Sequence, residues 1–167
     1  IGEFGEERRV REDIKQAPPM PTKAIIAAED ERFYQHSGID YVGVARAAYA
    51  NLVTGGRRQG ASTITMQVAR NFFLSSEKTL TRKLYEVLLA LKIERTYSKD
   101  KILELYLNEI YLGLGAYGVA AASLTYFDKA VNELTVPETA YLAALPKAPS
   151  NYHPFRQRER AIERRNW

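Results

Sequence analysis

Apolar residues recur at helical spacing along most of this chain, and strict alternation of apolar and polar residues is scarce. Spacing of three and four residues places side chains on one face of an α-helix, whereas alternation is typical of strands. Capping residues, glycines and prolines divide the pattern into short segments. The sequence therefore predicts a mainly α-helical domain.

Individual helices are predicted from capping residues and from the breaks between them. Thr22 is expected to cap a helix that continues to about residue 34, and Asp40 to cap one that stops at Gly55. Thr135-x-x-Glu138 is a capping box that predicts a helix ending at Pro146. Further helices are expected over residues 63–72, 78–95, 98–113 and 119–126, and from about residue 157.

Composition limits the chemistry that is available to these 167 residues. The chain has no cysteine and two histidines, which excludes a disulfide framework and a thiol nucleophile and argues against a Cys- or His-rich metal centre. A net charge of +4 is too small to indicate a nucleic-acid-binding surface. No apolar run approaches the roughly 20 residues that a membrane span needs. Any catalysis must therefore use carboxylates, hydroxyls, amides and cations.

Glu29 lies in the predicted helix of residues 22–34, with Ile25 and Phe33 four residues to either side. This spacing places the carboxylate on the apolar stripe of the helix. Desolvation raises the pKa of a carboxyl group, which is what a general acid or base near neutral pH needs. The alternative is a buried glutamate that a cation holds for structural reasons.

Glu86 lies in the predicted helix of residues 78–95, which is apolar over most of its circumference and is therefore expected to be central to the fold. Arg82 and Lys83 precede Glu86 by four and three residues, so the three side chains project together. One interpretation is a surface ion pair of small energetic value. The other is a cluster in a cleft that accepts an anionic substrate.

The segment Gly60-Ala-Ser62-Thr63-Ile-Thr65-Met-Gln67 places three hydroxyls and an amide at a predicted helix N-terminus. Gly60 permits close approach of the backbone, and donors at a helix N-terminus suit phosphate or sugar oxygens. An ordinary Ser/Thr N-cap explains the same residues.

Four segments in order resemble the motifs of a known family, the peptidoglycan glycosyltransferases. These are the transglycosylase domains of class A penicillin-binding proteins and their monofunctional relatives. Glu163-Arg-Arg-Asn166 resembles the start of a fifth motif, and Met66 stands where many relatives have a second glutamine. The four motifs are Glu29-Asp30-x-x-Phe33-x-x-His36-x-Gly38, Gly60-x-Ser62-Thr63-x-Thr65-x-Gln67, Arg82-Lys83-x-x-Glu86 and Lys101-x-Leu-Glu104-x-Tyr106-Leu107-Asn108.

The resemblance implies a lysozyme-like helical fold with a large lobe and a smaller, membrane-proximal lobe. It implies polymerisation of lipid II into β-1,4-linked glycan strands for cell wall biosynthesis, with inversion at the anomeric carbon and release of undecaprenyl diphosphate. Residues 1–21 are expected to form a linker, and residues 22–167 a glycosyltransferase domain that is truncated at its C-terminus.

By the same resemblance, Glu29 is the general base that takes the proton from the acceptor 4-hydroxyl. Glu86 is the second essential carboxylate, which acts at the diphosphate or through a divalent cation, Mg²⁺ or Mn²⁺. The supporting residues are Asp30, Phe33, His36 and Asn108. The substrate-binding residues are Ser62, Thr63, Gln67, Arg70, Lys78, Arg82 and Lys83.

The residues themselves fit this chemistry. A diphosphate leaves readily, so cations that balance its developing charge are enough, whereas a sugar hydroxyl needs a base. A glycoside hydrolase also uses two carboxylates, but it needs no cluster of cations around one of them. A peptidoglycan-cleaving muramidase or lytic transglycosylase and a non-catalytic, membrane-surface glycan-binding module are the alternatives.

Residues 41–62 begin with YVGVARAAYANLV and continue into a glycine-rich loop with Arg57 and Arg58. Such a segment can lie in a lipid interface, and a core-packed helix with a basic loop is the alternative. The resemblance favours the membrane interpretation, on the periplasmic, extracytoplasmic face of the bacterial inner membrane, with the anchor absent from this chain. The implied ligands are lipid II, the growing glycan strand and phosphoglycolipid inhibitors of the moenomycin type, and nucleic acid is not expected.

Overall fold

The computed structural model describes residues 8–9, 18–55, 60–74, 79–147 and 158–166, which are mainly helical, as predicted. Short 3-10 turns occur at Phe33–Gln35, Val131–Glu133 and Leu145–Lys147. Two short strands, Arg8–Arg9 (β1) and Ala116–Tyr117 (β2), pair in parallel. The α-helices are Pro19–Glu29 (α1), Tyr41–Thr54 (α2), Ile64–Phe73 (α3), Leu80–Thr96 (α4), Lys99–Glu109 (α5), Val119–Phe127 (α6), Val136–Ala144 (α7) and Arg158–Asn166 (α8).

The chain divides into two compact units. The terminal unit consists of Ile1–Glu31 and Leu103–Trp167, and the central unit of Arg32–Ile102. Within the terminal unit, α7 packs against α1 and α8, and α6 packs against β2. Within the central unit, α3 packs against α4.

The core of the central unit is built on α3. Every residue from Ile64 to Ala69 is buried. The helix begins where it was predicted, because the Thr63 hydroxyl accepts a hydrogen bond from the Met66 N–H (3.1 Å) and so satisfies a free amide of the first turn. The hydroxyl-rich second motif therefore lies at the start of the buried helix of this unit.

The prediction for α1 was wrong at both ends. Proline fixes φ near the helical value and is favoured in the first turn, so the helix begins at Pro19 rather than after Thr22. The Thr22 hydroxyl donates to the Pro18 carbonyl (3.1 Å) and does not cap the helix. The helix ends at Glu29 because Asp30 leaves helical geometry, with φ at −159°.

Helix α4 is not the central apolar helix that its composition predicted. Leu80, Leu84 and Leu88 are exposed, and Leu80 is 91% exposed. The buried residues are instead Glu86, Ala90 and Ile93. A helix that packs along one stripe leaves its other stripes outside, so an apolar circumference does not by itself imply full burial.

Helix α5 begins as predicted but is shorter. The Ser98 hydroxyl accepts from the Lys101 N–H (3.3 Å), which caps the first turn. The helix ends at Glu109 and not at Gly113. Gly113 (φ 90°) and Leu114 (φ 50°) both have positive φ, a backbone conformation that a right-handed helix does not contain.

Helix α2 has the predicted bounds, and Gly55 ends it in the left-handed conformation (φ 62°). Asp40 precedes the helix as expected, but its side chain makes no capping hydrogen bond. Its Oδ1 instead lies 3.3 Å from the Arg32 guanidinium. Ion pairing within the 32–40 segment has replaced the predicted cap.

The predicted capping box of α7 forms around Glu138. One oxygen of its carboxylate accepts from the Thr135 N–H (2.8 Å) and hydroxyl (2.9 Å). The other oxygen accepts from Lys129 Nζ (2.8 Å). The Lys129 hydrogen bond, followed by those from Thr135, lowers the pKa of Glu138 from 4.5 to about 2. This carboxylate thus fixes the start of a helix that packs against both α1 and α8.

Glu138→Gln is expected to lower the Tm of the chain at about pH 7. Because folding lowers the pKa of Glu138, its carboxylate stabilises the folded state above the ordinary value of 4.5, and that contribution is lost as the pH falls towards 2. The Tm difference between wild type and variant should therefore shrink between about pH 5 and about pH 3. Thermal unfolding followed by circular dichroism measures this Tm difference at each pH. Glu163→Gln, at an exposed position on α8, is the control, and a pH-independent difference for Glu138→Gln would contradict the assignment.

Candidate active site

The first motif forms a tight turn in the central unit. Phe33 is fully buried, and its ring lies edge-on to His36, with centroids 6.3 Å apart. His36 Nδ1 accepts from the Gly38 N–H (3.1 Å). Gly38 has φ of +100°, and a Cβ there would lie 3.2 Å from the Ala90 backbone. The turn therefore needs glycine at this position, because it lies directly against α4.

The hydroxyls of the second motif connect this turn to α3 and α4. Thr63 Oγ1 donates to the Gly38 carbonyl (2.7 Å) while it accepts from the Met66 N–H. The N-cap alternative is thus confirmed for Thr63, which also joins the first two motifs. Ser62 Oγ accepts from Lys83 Nζ (2.8 Å), which joins the second motif to the third.

The third motif contains a buried charge pair. Glu86 is 0% exposed, and its Oε1 accepts from Lys83 Nζ at 2.7 Å. Its Oε2 is buried with no hydrogen-bond partner among the described residues. The Lys83 side chain is 44% exposed, so it extends from the buried carboxylate to the surface. Of the two interpretations of the Arg82, Lys83 and Glu86 group, the surface ion pair is therefore wrong, because the Glu86 carboxylate is fully buried.

The other predicted substrate-binding residues are placed as follows. Gln67 is buried in α3, and Arg70 lies half-buried in the last turn of that helix. Arg82 is half-buried in the first turn of α4. Lys78 and the arginines of the 56–59 loop lie outside the described residues. Lys83 lies against Glu86, with its Nζ 2.7 Å from the carboxylate.

Three predicted residues belong to the terminal unit. Glu29 is the last residue of α1 and is half-buried. The expectation of a desolvated stripe from Ile25 through Glu29 to Phe33 was wrong, because the helix ends before Phe33. Asp30 is buried, and its N–H bonds the Ile26 carbonyl. Asn108 Nδ2 donates to the Glu104 carbonyl one turn earlier (2.9 Å).

The central unit contains a second polar cluster that no sequence pattern predicted. Thr65 Oγ1 donates to Glu94 Oε1 (2.5 Å), and Lys99 Nζ lies 2.7 Å from the same oxygen. Lys99 Nζ also lies 4.3 Å from the centroid of the Phe33 ring. Thr65 belongs to the second motif but was not among the predicted site residues, and no helical periodicity marks Glu94.

The described residues contain no group of three or more His, Cys, Asp or Glu side chains that could hold a metal ion. Within the described part of the chain, Glu86 is therefore a single carboxylate and does not belong to a cluster of metal-ligating side chains. Magnesium sites that include substrate phosphates commonly use one or two carboxylates. A single carboxylate at Glu86 is therefore compatible with a cation that also binds substrate phosphates.

Lys83→Met is expected to destabilise the chain, since it leaves the Glu86 carboxylate buried without its charged partner. Loss of one partner of a buried hydrogen bond costs about 1–3 kcal/mol, and more for charged groups. The double variant Lys83→Met/Glu86→Gln should be more stable than Lys83→Met, because the buried charge is gone. Urea unfolding of both variants and of Glu86→Gln gives the comparison. Equal stability of the single Lys83 variant and wild type would show that the pair is not formed in solution.

Comparison with known proteins identifies the same family that the sequence motifs indicate. The family model described as Transglycosylase matches residues 1–167. Penicillin-binding protein 1A of Escherichia coli (strain K12) is 56% identical over 166 residues, which cover 99% of this chain and 20% of that protein. Penicillin-binding protein 1A of Neisseria cinerea is 59% identical over 167 residues, which cover 100% of this chain and 21% of that protein. This chain thus spans about a fifth of the length of these relatives.

A solved structure shows the same fold. The crystal structure of Penicillin-Binding Protein 1A from Haemophilus influenzae superposes with a TM-score of 0.53 at 30% sequence identity. The match covers 99% of this chain and 15% of that one. With the family model matching from end to end, the chain belongs to the transglycosylase family, the peptidoglycan glycosyltransferases of penicillin-binding proteins.

Proposed function

We propose that this domain polymerises lipid II into β-1,4-linked glycan strands, with inversion at the anomeric carbon and release of undecaprenyl diphosphate. The observation that carries the proposal is the contact of Lys83 with both the buried Glu86 (2.7 Å) and Ser62 (2.8 Å). A lysine ammonium has three N–H donors, so two are used here and the third can meet a substrate oxygen. Ser62 accepts from Lys83 and keeps its own O–H as a donor.

This arrangement suits the leaving group. As the bond between the anomeric carbon and the diphosphate breaks, negative charge develops on the diphosphate oxygens. Lys83 balances that charge from a fixed position, since Glu86 and Ser62 hold its ammonium. Arg70, Lys78 and Arg82 are proposed to add to the positive field and Gln67 to line the same cleft, while Thr63 supports the wall of that cleft through its bonds to Gly38 and Met66. The diphosphate then leaves without a proton, so a general acid is not needed.

Glu29 is proposed as the base. It lies half-buried as the last residue of α1, so its carboxylate is at the end of a helix and not within one. A carboxylate in such a place can take the proton from the 4-hydroxyl of the acceptor sugar. The freed oxygen then attacks the anomeric carbon on the face opposite the departing diphosphate, which inverts its configuration. Asp30 and His36 support this segment and do not react.

Glu86 is the residue that would hold a divalent cation, Mg²⁺ or Mn²⁺, in the proposed reaction. The buried Glu86 Oε2, which has no hydrogen-bond partner among the described residues, is the protein oxygen that fits such an ion. Magnesium keeps several waters and binds one carboxylate together with substrate phosphates. When bound, the ion would supply further positive charge at the leaving group.

A lipid surface is the proposed environment of α2. Ala47 is the buried residue of this helix, whereas Tyr49, Leu52 and Val53 are exposed, Leu52 by 83%. A core-packed α2 is therefore not supported. Exposed apolar residues on an amphipathic helix are typical of a surface that inserts into a lipid interface, and the leucine stripe of α4 adds to the apolar surface of the same unit. No helix within the described ranges has the length and apolar content needed to cross a bilayer.

The proposed location of the domain is the periplasmic side of the inner membrane, where a lipid-linked substrate would present its diphosphate at the interface. The growing glycan strand is the proposed donor, and lipid II is the proposed acceptor. Phosphoglycolipids of the moenomycin type carry a phosphate and a lipid chain, so we expect them to bind the same cationic side chains. Cleavage of finished glycan by a muramidase is the second candidate, but the cation that contacts Glu86 favours a diphosphate over a neutral glycosidic oxygen.

Glu29→Gln is expected to reduce polymerisation of lipid II by about a hundredfold or more, as loss of a general base typically does. The assay follows glycan strand length by gel electrophoresis of labelled lipid II products. Glu31→Gln is the matched control, because Glu31 is an exposed carboxylate two residues away. Full turnover by Glu29→Gln would exclude Glu29 as the base. A wild-type chain that shortens the glycan of purified sacculi and leaves lipid II unchanged would favour the muramidase alternative.

Leu52→Glu is expected to weaken binding to vesicles of anionic phospholipid, because it places a negative charge on the exposed face of α2. Cosedimentation with vesicles measures the bound fraction, which should fall several-fold. Leu124→Glu is the matched control at another exposed leucine, on α6 in the terminal unit. Equal losses for the two variants would argue against α2 as the lipid-contacting surface.

A further inference from the structure

The Glu94 cluster, made of Thr65, Glu94, Lys99 and Phe33, is a polar site that the proposed reaction does not use directly. Thr65 is fully buried, and the Glu94 side chain is 8% exposed. One oxygen, Glu94 Oε1, accepts both the Thr65 hydroxyl (2.5 Å) and Lys99 Nζ (2.7 Å). A mostly buried carboxylate with two short contacts to different helices fixes those helices to its own.

The same cluster reaches the first motif. Lys99 Nζ lies over the Phe33 ring, 4.3 Å from its centroid, which is a cation–π contact. A Cβ on Gly38 would lie 3.2 Å from Glu94 Cγ, so the other end of the turn lies against the glutamate itself. The cluster therefore holds the 33–38 turn at both ends.

Glu94 is too far from Glu86 to act on the same ligand atoms. The two residues are eight positions apart on α4, which is about 12 Å along a helix axis. Thr65, in contrast, lies in the first turn of α3, and Ser62 directly precedes Thr63, the N-cap of that helix. Whatever fixes Thr65 therefore fixes the place from which the Ser62 hydroxyl meets Lys83.

We propose that Glu94 is a positioning residue of the transferase site. Through Thr65 it sets the first turn of α3, and through Lys99 and Phe33 it sets the first-motif turn, so that Ser62 meets Lys83 beside Glu86. The inference rests on the proposed function for its kinetic consequence, but the anchoring of α3 can be measured without it.

The kinetic test uses the full chain and compares Thr65→Val with Thr65→Ser. Valine removes the hydroxyl at nearly constant volume, whereas serine keeps it. Thr65→Val should lower kcat for lipid II polymerisation by about tenfold with KM changed less than about threefold, since a displaced group acts mainly on the transition state. Thr65→Ser should recover most of the rate. Thr139→Val, at a buried threonine of α7, is the matched control.

A mutant cycle separates positioning from a general loss of structure. In a Ser62→Ala background, Thr65→Val should lower kcat less than about twofold, because the group that Thr65 positions is already absent. Glu94→Gln keeps an acceptor for Thr65 and should retain more activity than Glu94→Leu. A full tenfold loss in the Ser62→Ala background, or equal rates for Thr65→Val and Thr65→Ser, would overturn the proposal.

Amide hydrogen exchange tests whether Thr65 anchors the first turn of α3, and this test does not require polymerisation activity. The Met66 N–H donates to Thr63 Oγ1, so Thr65→Val should speed its exchange by about tenfold while α7 amides stay unchanged. Unchanged exchange at Met66 would overturn the proposal, whatever the activity. If wild type fails to polymerise lipid II but Met66 responds as expected, the proposed function fails and the anchoring of α3 through Thr65 stands.

Discussion

The pairing of Lys83 with the fully buried Glu86 determines how the central unit is built. A carboxylate that is 0% exposed needs a charged partner, because an isolated buried charge costs several kcal/mol. Lys83 meets this need from the same helix and keeps its side chain 44% exposed. With Glu86 directed inward, α4 can bury only the stripe that continues through Ala90 and Ile93. The leucines at 80, 84 and 88 must then lie outside.

This geometry explains which parts of the fold could be predicted. Helix starts depend on nearby residues, so the cap at Thr63, the start of α5 and the box at Glu138 were found from the sequence, whereas the caps expected at Thr22 and Asp40 do not form. The orientation of α4 depends on what packs against it. Its leucine stripe and its Glu86 stripe both have helical spacing, and periodicity does not say which of the two faces α3. For the same reason the exposed leucines could not be foreseen.

The candidate site was predictable to a similar extent. Glu86 stood out because a carboxylate interrupts an apolar helix, and Lys83 because it shares that face. The Glu94 cluster gave no such signal, since Thr65 and Glu94 are 29 residues apart and meet only once α3 and α4 have packed. Glu29 was found through its motif, although the helical stripe argued for it does not exist. Its position, half-buried at the last residue of α1, could be seen only in the structure, and its role as the base stays a proposal.

Of the three hydroxyls of the second motif, two stabilise the fold of the central unit and one lies at the candidate site. Thr63 donates to the first-motif turn and Thr65 to Glu94, so both are committed to holding the unit together. Ser62 alone of the three meets a lysine that is partly exposed. Its hydroxyl accepts from that lysine and can still donate, which gives a substrate oxygen two adjacent donors, one of them charged. Two threonines bound within the protein and one serine with an O–H left to donate suit the proposed reaction, in which the site keeps its shape while a charged diphosphate leaves.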